Sequence, residues 1–179
     1  VCIIENPTLE SATKLFKHPR VPMLLATGGP AVAHAAMTSG KRAVAAGPGN
    51  PPAVVDETAD IEKAAAGIIA GASYDNNLLC IGEKEVFVVA SVAEALMEAM
   101  SRHGGYRLSR AEIDTLAQKV IYKDEKSGHF LPRKEYIGKD AHVVAQAIGL
   151  TVSPNVLVLF GPTDETSPFV PCEQMMPVL

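Results

Sequence analysis

The sequence predicts an α/β fold, parallel βαβ sheet layers with flanking helices, and three observations carry that prediction. Apolar runs of strand length alternate with helical stretches from residue 1 to residue 46. Gly47-Pro48-Gly49-Asn50-Pro51-Pro52 then breaks the pattern, since its prolines remove backbone donors and its glycines favour turns, and strand and helix signals resume beyond it. Hydrophobic residues make up 47% of the 179 and charged residues 20%, a composition able to fill a packed core.

Residues 1–4 (Val-Cys-Ile-Ile) read as a strand. Residues 8–17 read as a helix with Pro7 and Thr8 at its start and Leu9, Ala12, Leu15 and Phe16 on one face. Residues 21–26 are a second strand, the turn Thr27-Gly28-Gly29-Pro30 opens a helix of small residues reaching about Ser39, and Arg42–Ala46 is a third strand. A domain boundary falls in the Gly/Pro-rich segment, dividing the chain into residues 1–46 and 47–179. Beyond it come a strand at 53–55, an alanine-rich helix at 60–73, a loop carrying Cys80 and a strand at 85–90. The next helix, residues 92–103, puts Val92, Leu96, Ala99 and Met100 on its apolar face and stops at Gly104-Gly105. Ser109 caps a further helix to about Val120, with Glu112 three residues on. Residues 122–139 are polar and loop-like, 140–148 are helix and 156–160 strand.

Charge and composition exclude several functions. Lys plus Arg total 16 against 20 Asp plus Glu, a net charge of −4, so the basic excess of an electrostatic nucleic-acid binder is missing. No apolar run approaches the roughly 18 residues that cross a bilayer. No nucleic acid and no membrane is therefore expected as a partner. Cys2, Cys80 and Cys172 are odd in number and far apart, with no Cys-x-x-Cys pair and no secretory signal, which predicts a reducing compartment and neither a disulfide framework nor a metal site. The chain opens on an apolar run without Met and closes on Met175-Met176-Pro177-Val178-Leu179, as expected of a fragment cut beside buried strands.

Four features could carry chemistry. Thr27-Gly28-Gly29-Pro30 follows a strand and opens a helix, where glycines let a phosphate approach backbone N–H groups; a tight strand-to-helix turn also needs glycine. Cys80 lies in a helix-to-strand loop, where a thiolate is a nucleophile with backbone N–H groups near a developing oxyanion, although a free cysteine is more commonly a buried packing residue. Cys2, within a predicted strand, and Cys172, beside Pro171, read as packing residues. His18, His34, His103, His129 and His142 show no ligand spacing and read as surface or helix-end residues. Glu173, between Pro171 and Pro177, can hydrogen-bond a ribose, though a lone loop glutamate is generally just solvated.

Taken together, five stretches resemble the aldehyde dehydrogenase superfamily, and most closely its CoA-acylating branch that oxidises acetaldehyde or propionaldehyde. They are Leu25 to Pro30, Ser39-Gly40-Lys41 through Pro52, Tyr74 to Val86, Gly138-Lys139-Asp140-Ala141 and Glu173 to Leu179, in family order across essentially the whole chain. The specific element is Asn76-Asn77-x-x-Cys80-x-x-Glu83-Lys84-Glu85. The resemblance implies that residues 1–46 are the C-terminal part of a nucleotide-binding domain and 47–179 a catalytic thiol domain truncated at its C-terminus. It implies that Cys80 attacks a short-chain aldehyde to give a thiohemiacetal, that hydride passes to NAD, and that coenzyme A, a co-substrate, opens the resulting thioacyl enzyme. By the same resemblance Thr27, Gly28 and Gly29 lie along the dinucleotide pyrophosphate, and Glu173 binds the nicotinamide-side ribose. Met175 stands where many relatives have an aromatic residue. Hydrolytic relatives carry a general-base glutamate on the strand entering the boundary, whereas Ala43 to Asn50 here contains no carboxylate. The resemblance further implies a homo-oligomer when full length, located in the cytoplasm or inside a bacterial microcompartment.

Competing readings are an inert piece acting only in folding or assembly, a hydrolytic aldehyde dehydrogenase, and an unrelated cysteine hydrolase, which needs a histidine brought to Cys80 by the fold.

Overall fold

Parallel strand pairing dominates the structure, a computed structural model that describes residues 2–179. The chain divides into two compact units, one ending at Gly49 and the other comprising Asn50–Leu179, so the division falls inside the Gly/Pro-rich segment.

In the first unit, α1 (Leu9–Lys17) starts at a capping box in which the Thr8 hydroxyl accepts from the Ser11 N–H and the Ser11 hydroxyl accepts from the Thr8 N–H. None of its residues is buried, and only Phe16 of the predicted apolar face joins the unit's small core. Strand β1 (Met23–Thr27), helix α2 (Pro30–Met37) and strand β2 (Arg42–Ala46) form a βαβ unit, with Met23 opposite Arg42 and Thr27 opposite Ala46 in parallel register. Alternation along β1 buries Leu24 and Ala26 against Ala36 of α2, while Met23, Leu25 and Thr27 face outward. The predicted first strand is corrected: residues 2–4 are irregular and exposed, because an apolar run becomes a strand only where a ladder partner exists. Val1, also part of that prediction, lies outside the described residues.

In the second unit β3 (Pro52–Val55) and β4 (Glu85–Val88) pair in parallel, joined by α3 (Ile61–Ser73), whose N-cap Asp60 accepts from the Lys63 N–H. Helix α4 (Ala90–Arg102) packs on α3 through Leu96, Ala99 and Met100. After it, β5 (Gly105–Arg107) pairs in parallel with β8 (Val158–Phe160), so the glycine pair predicted only to end a helix also begins a strand. Between these lie α5 (Arg110–Val120), the antiparallel pair β6 (Ile121–Lys123) and β7 (Phe130–Pro132), and α6 (Ala141–Ala145) with a 3-10 turn at Gln146–Ile148. The first part of the polar 122–139 stretch is thus a hairpin rather than a loop: Ile121 and Pro132 at its base are buried, Phe130 is half-buried against the core, and Tyr122, Lys123 and Leu131 are exposed.

The larger core cluster joins Leu108 and Ile113, Leu116, Ala117 and Val120 of α5 to Val144 of α6, Leu159 of β8, and Cys172, Met176 and Val178 of the last segment. That segment is held by a short parallel ladder, in which the Leu159 N–H donates to the Pro177 carbonyl (2.9 Å) and the Leu179 N–H to the Leu159 carbonyl (2.9 Å).

Candidate active site

Helix α3 ends at Ser73, and the chain reverses through a 3-10 turn at Tyr74–Asn77 in which Asp75, Asn76 and Asn77 take left-handed backbone (φ 50°, 52° and 60°). Asp and Asn tolerate that region best among residues with a Cβ, which accounts for the residue choice. Beyond this turn the chain reaches Cys80, whose side chain is half-buried.

A buried ammonium ties the turn from inside. Lys84 is 1% exposed, and its Nζ donates to the Asn77 carbonyl (2.6 Å), to Asn77 Oδ1 (2.6 Å) and to the Leu79 carbonyl (3.0 Å). Asn77, fully buried, returns a bond from Nδ2 to the Glu83 carbonyl (2.9 Å). Three donors thus meet three acceptors on the two residues leading to Cys80. Burial pulls the Lys84 ammonium below its usual pKa, opposed by the negative charge of Glu173, Cys80 and Glu83. Gly82 leaves room for this arrangement, since a Cβ there would stand 2.6 Å from Asn77 Oδ1.

Two distant segments close on the same loop. Asn76 Nδ2 donates to the Gly138 carbonyl (3.1 Å) and to Asp140 Oδ1 (2.8 Å), and the Gly138 N–H donates to the Met175 carbonyl (3.0 Å). Gln174 is fully buried; its Nε2 donates to the Lys84 carbonyl and to the Val178 carbonyl (3.0 Å each). The fold therefore brings the Cys80 loop, the 138–141 stretch and the segment carrying Glu173 together. Glu85 follows on β4, where burial pushes its carboxyl up and the Asn50 amide donates to it; Asn50 also donates to the Val170 carbonyl (2.6 Å).

The other thiols differ from the sequence reading in one respect. Cys172 is buried, and burial pushes its thiol up to about 12, consistent with a packing role. Cys2, read as strand core, is exposed, because the strand that would cover it does not form. Four histidines are exposed and His142 is half-buried on α6; among the described residues no group of three or more His, Cys, Asp and Glu side chains is arranged to hold a metal. An apolar cavity of about 440 Å³ lies between β4, α4 and residues 160–165, but neither Cys80 nor Glu173 lines it.

Thr27, Gly28 and Gly29 lie in the first unit, at the end of β1. Gly29 is the N-cap of α2 with ordinary backbone angles, and Pro30 occupies the first helical position. Neither Gly28 nor Gly29 sits at positive φ, so the turn does not require glycine for its backbone. A Cβ on Gly29 would meet nothing within 4 Å. Open space thus faces the positive end of an eight-residue helix.

Sequence reasoning overlooked Lys84, Asn77 and Gln174 as working residues. The flanking carboxylates Glu83 and Glu85 make the lysine look like one of a solvated charge run, and only the tertiary packing buries it.

The sequence matches the aldehyde dehydrogenase family over residues 1–104. It is 43% identical over 177 residues to the acetaldehyde dehydrogenase (acetylating) EutE of Salmonella typhimurium, covering 98% of this chain and 38% of that protein. The fold is similar to a propionaldehyde dehydrogenase from the Clostridium phytofermentans fucose utilisation bacterial microcompartment (TM-score 0.87, 40% identity, 98% of this chain and 39% of that one). It is likewise similar to a Rhodopseudomonas palustris propionaldehyde dehydrogenase with bound CoA and an acylated cysteine (TM-score 0.85, 40% identity, 98% and 39% covered). The chain thus spans under two-fifths of the length of these relatives.

Proposed function

Because the chain belongs to the aldehyde dehydrogenase family, we propose that it carries the nucleophile of a CoA-acylating aldehyde dehydrogenase that converts a short-chain aldehyde to acyl-CoA. The observation supporting this most directly is the convergence of the Cys80 loop and the Glu173 segment on Lys84. In this reading residues 1–46 belong to the nucleotide-binding domain and 47–179 to the catalytic domain.

The Cys80 thiolate adds to the aldehyde carbon, and the carbonyl π electrons move to oxygen to give a thiohemiacetal anion. Collapse of that anion re-forms the C=O bond as hydride leaves the same carbon, so a thioester remains on Cys80. A nicotinamide cofactor, NAD in our reading, supplies the acceptor for that hydride when bound. The thiolate of CoA then attacks the thioester carbon, and Cys80 leaves as the thiolate. Thr27, Gly28 and Gly29 fit the pyrophosphate, given the open space over Gly29 at the N-terminus of α2. Glu173 is assigned to the nicotinamide-side ribose. The source of one structural neighbour favours work in the cytoplasm or inside a bacterial microcompartment.

Product analysis of the full-length protein tests the reading. Acyl-CoA should form with little free acid, and omission of CoA should stall turnover, because residues 43–50 offer no general base to a water and such a base contributes about 10²–10⁴-fold. Cys80→Ala should abolish acyl-enzyme and product. Free carboxylic acid made at full rate without CoA would identify a hydrolytic enzyme instead.

A further inference from the structure

A lysine that donates all three of its protons to neutral oxygens is hydrogen-bonded but not neutralised. For Lys84 the acceptors are two backbone carbonyls and one amide oxygen, all on Asn77 and Leu79. Burial disfavours its charge, and Glu173, Cys80 and Glu83, acting through space, oppose that effect. A lysine serving only to fill this space would be expensive, since an apolar side chain of similar volume avoids the cost of taking a charge out of water. The surroundings are instead built around the charge: Asn77 turns its oxygen to it, Gly82 makes room for that oxygen, and Gln174 fixes the Lys84 backbone to the segment of Glu173.

We propose that Lys84 is a positioning residue for the thiol chemistry: its ammonium pins the left-handed Asn77 turn that presents Cys80 and sets a buried positive charge on the Leu79 carbonyl, one residue from Cys80. The inference rests on the reading of Cys80 as nucleophile. A positive charge held there favours the anionic sulfur that attacks the aldehyde and that later departs from the thioester, without touching substrate itself.

Lys84→Gln and Lys84→Met in the full-length enzyme test this, with the unmodified full-length enzyme as the reference. Removing the charge should lower kcat by about tenfold or more while the aldehyde KM changes less than about twofold, the pattern of an interaction used in the transition state. Iodoacetamide labelling at the Cys80 peptide should slow by about tenfold relative to the unmodified enzyme. A lysine that only braces the loop predicts the opposite sign, since a loosened loop exposes Cys80 and speeds its labelling; that result overturns the proposal. Retention of normal kcat and labelling by a folded variant overturns it as well. Should neither variant fold, NMR of the side-chain ammonium protons of Lys84 in the unmodified protein reads the anchor directly. All three are donated to oxygens, so they should exchange with water slowly enough to be seen, and exchange as fast as an exposed lysine's overturns the pinning. Cys80→Ala separates the two readings. If that variant keeps full activity the nucleophile assignment is wrong and the labelling ratio alone judges Lys84, whereas an inactive Cys80→Ala beside unaffected Lys84 variants removes only the Lys84 proposal.

Discussion

Around Cys80, single atoms decide what a residue tolerates. Gly82 and Gly71 both leave room for a neighbour's polar group, yet the cost of filling them differs. A Cβ at Gly82 would meet Asn77 Oδ1 at 2.6 Å and the Gly71 carbonyl at 3.3 Å; the first atom is held by Lys84 and the second is backbone, so neither yields freely. A Cβ at Gly71 would overlap the Glu83 carboxylate at 1.9 Å, but that group is the end of a flexible side chain. Gly82→Ala should therefore cost about 1–3 kcal/mol, the usual range for overpacking. Gly71→Ala should be nearly neutral, because displacement of Glu83 is offset by alanine's better helix propensity, about 1 kcal/mol over glycine. Urea denaturation of the two variants checks the contrast; equal losses would mean that Glu83 is held as firmly as Asn77.

At the scale of elements, caps and ladders set where each segment begins. Helix α5 opens with a full capping box: the Ser109 hydroxyl accepts from the Glu112 N–H, and Glu112 Oε2 accepts from the Ser109 N–H (2.7 Å). The serine sits between β5 and a helix that buries Ile113, Leu116, Ala117 and Val120, so it fixes the entry of that face into the core. Ser109→Ala should lower stability by about 1 kcal/mol. The measurement is a shift in denaturation midpoint without a change in slope; a changed slope would mean that α5 no longer unfolds with the rest. The hairpin β6–β7 shows the complementary case, a polar stretch made into strands by its base residues. Ile121 lies opposite Pro132, both buried, and Arg133 N–H donates to the Val120 carbonyl (2.8 Å).

For the molecule as a whole, the segment carrying Glu173 is ordered by the same core that holds α5, α6 and β8. Cys172, Met176 and Val178 are buried in that cluster, while Glu173 and Met175 alternate with them and stay half-buried. The position of the Glu173 carboxylate thus depends on packing far along the chain. Leu116, fully buried at the centre of α5, is the residue to remove: Leu116→Ala should cost about 2–5 kcal/mol. Hydrogen exchange should show residues 172–178 losing protection along with α5. Protection kept in that segment while α5 loosens would show that the short ladder between residues 177–179 and β8 suffices to hold it.

The alternation of strands and helices after residue 4, the cap Ser109, and the break at Gly47 to Pro52 were legible in the sequence, because each follows from local rules of periodicity, capping and turn chemistry; Thr8 and Asp60 were read only as helix starts, and the structure makes them caps. So was the thiol motif around Cys80, whose spacing of Asn, Cys, Glu and Lys residues is contiguous. What the tertiary structure alone decided were matters of partnership. Residues 2–4 form no strand because no ladder receives them among the described residues, and 121–132 became a hairpin because its two ends meet over a core built elsewhere. Lys84 stands between two carboxylates in sequence, yet it is buried beneath the turn that presents Cys80: the turn itself folds back to supply its acceptors, and the distant Gln174 closes over its backbone.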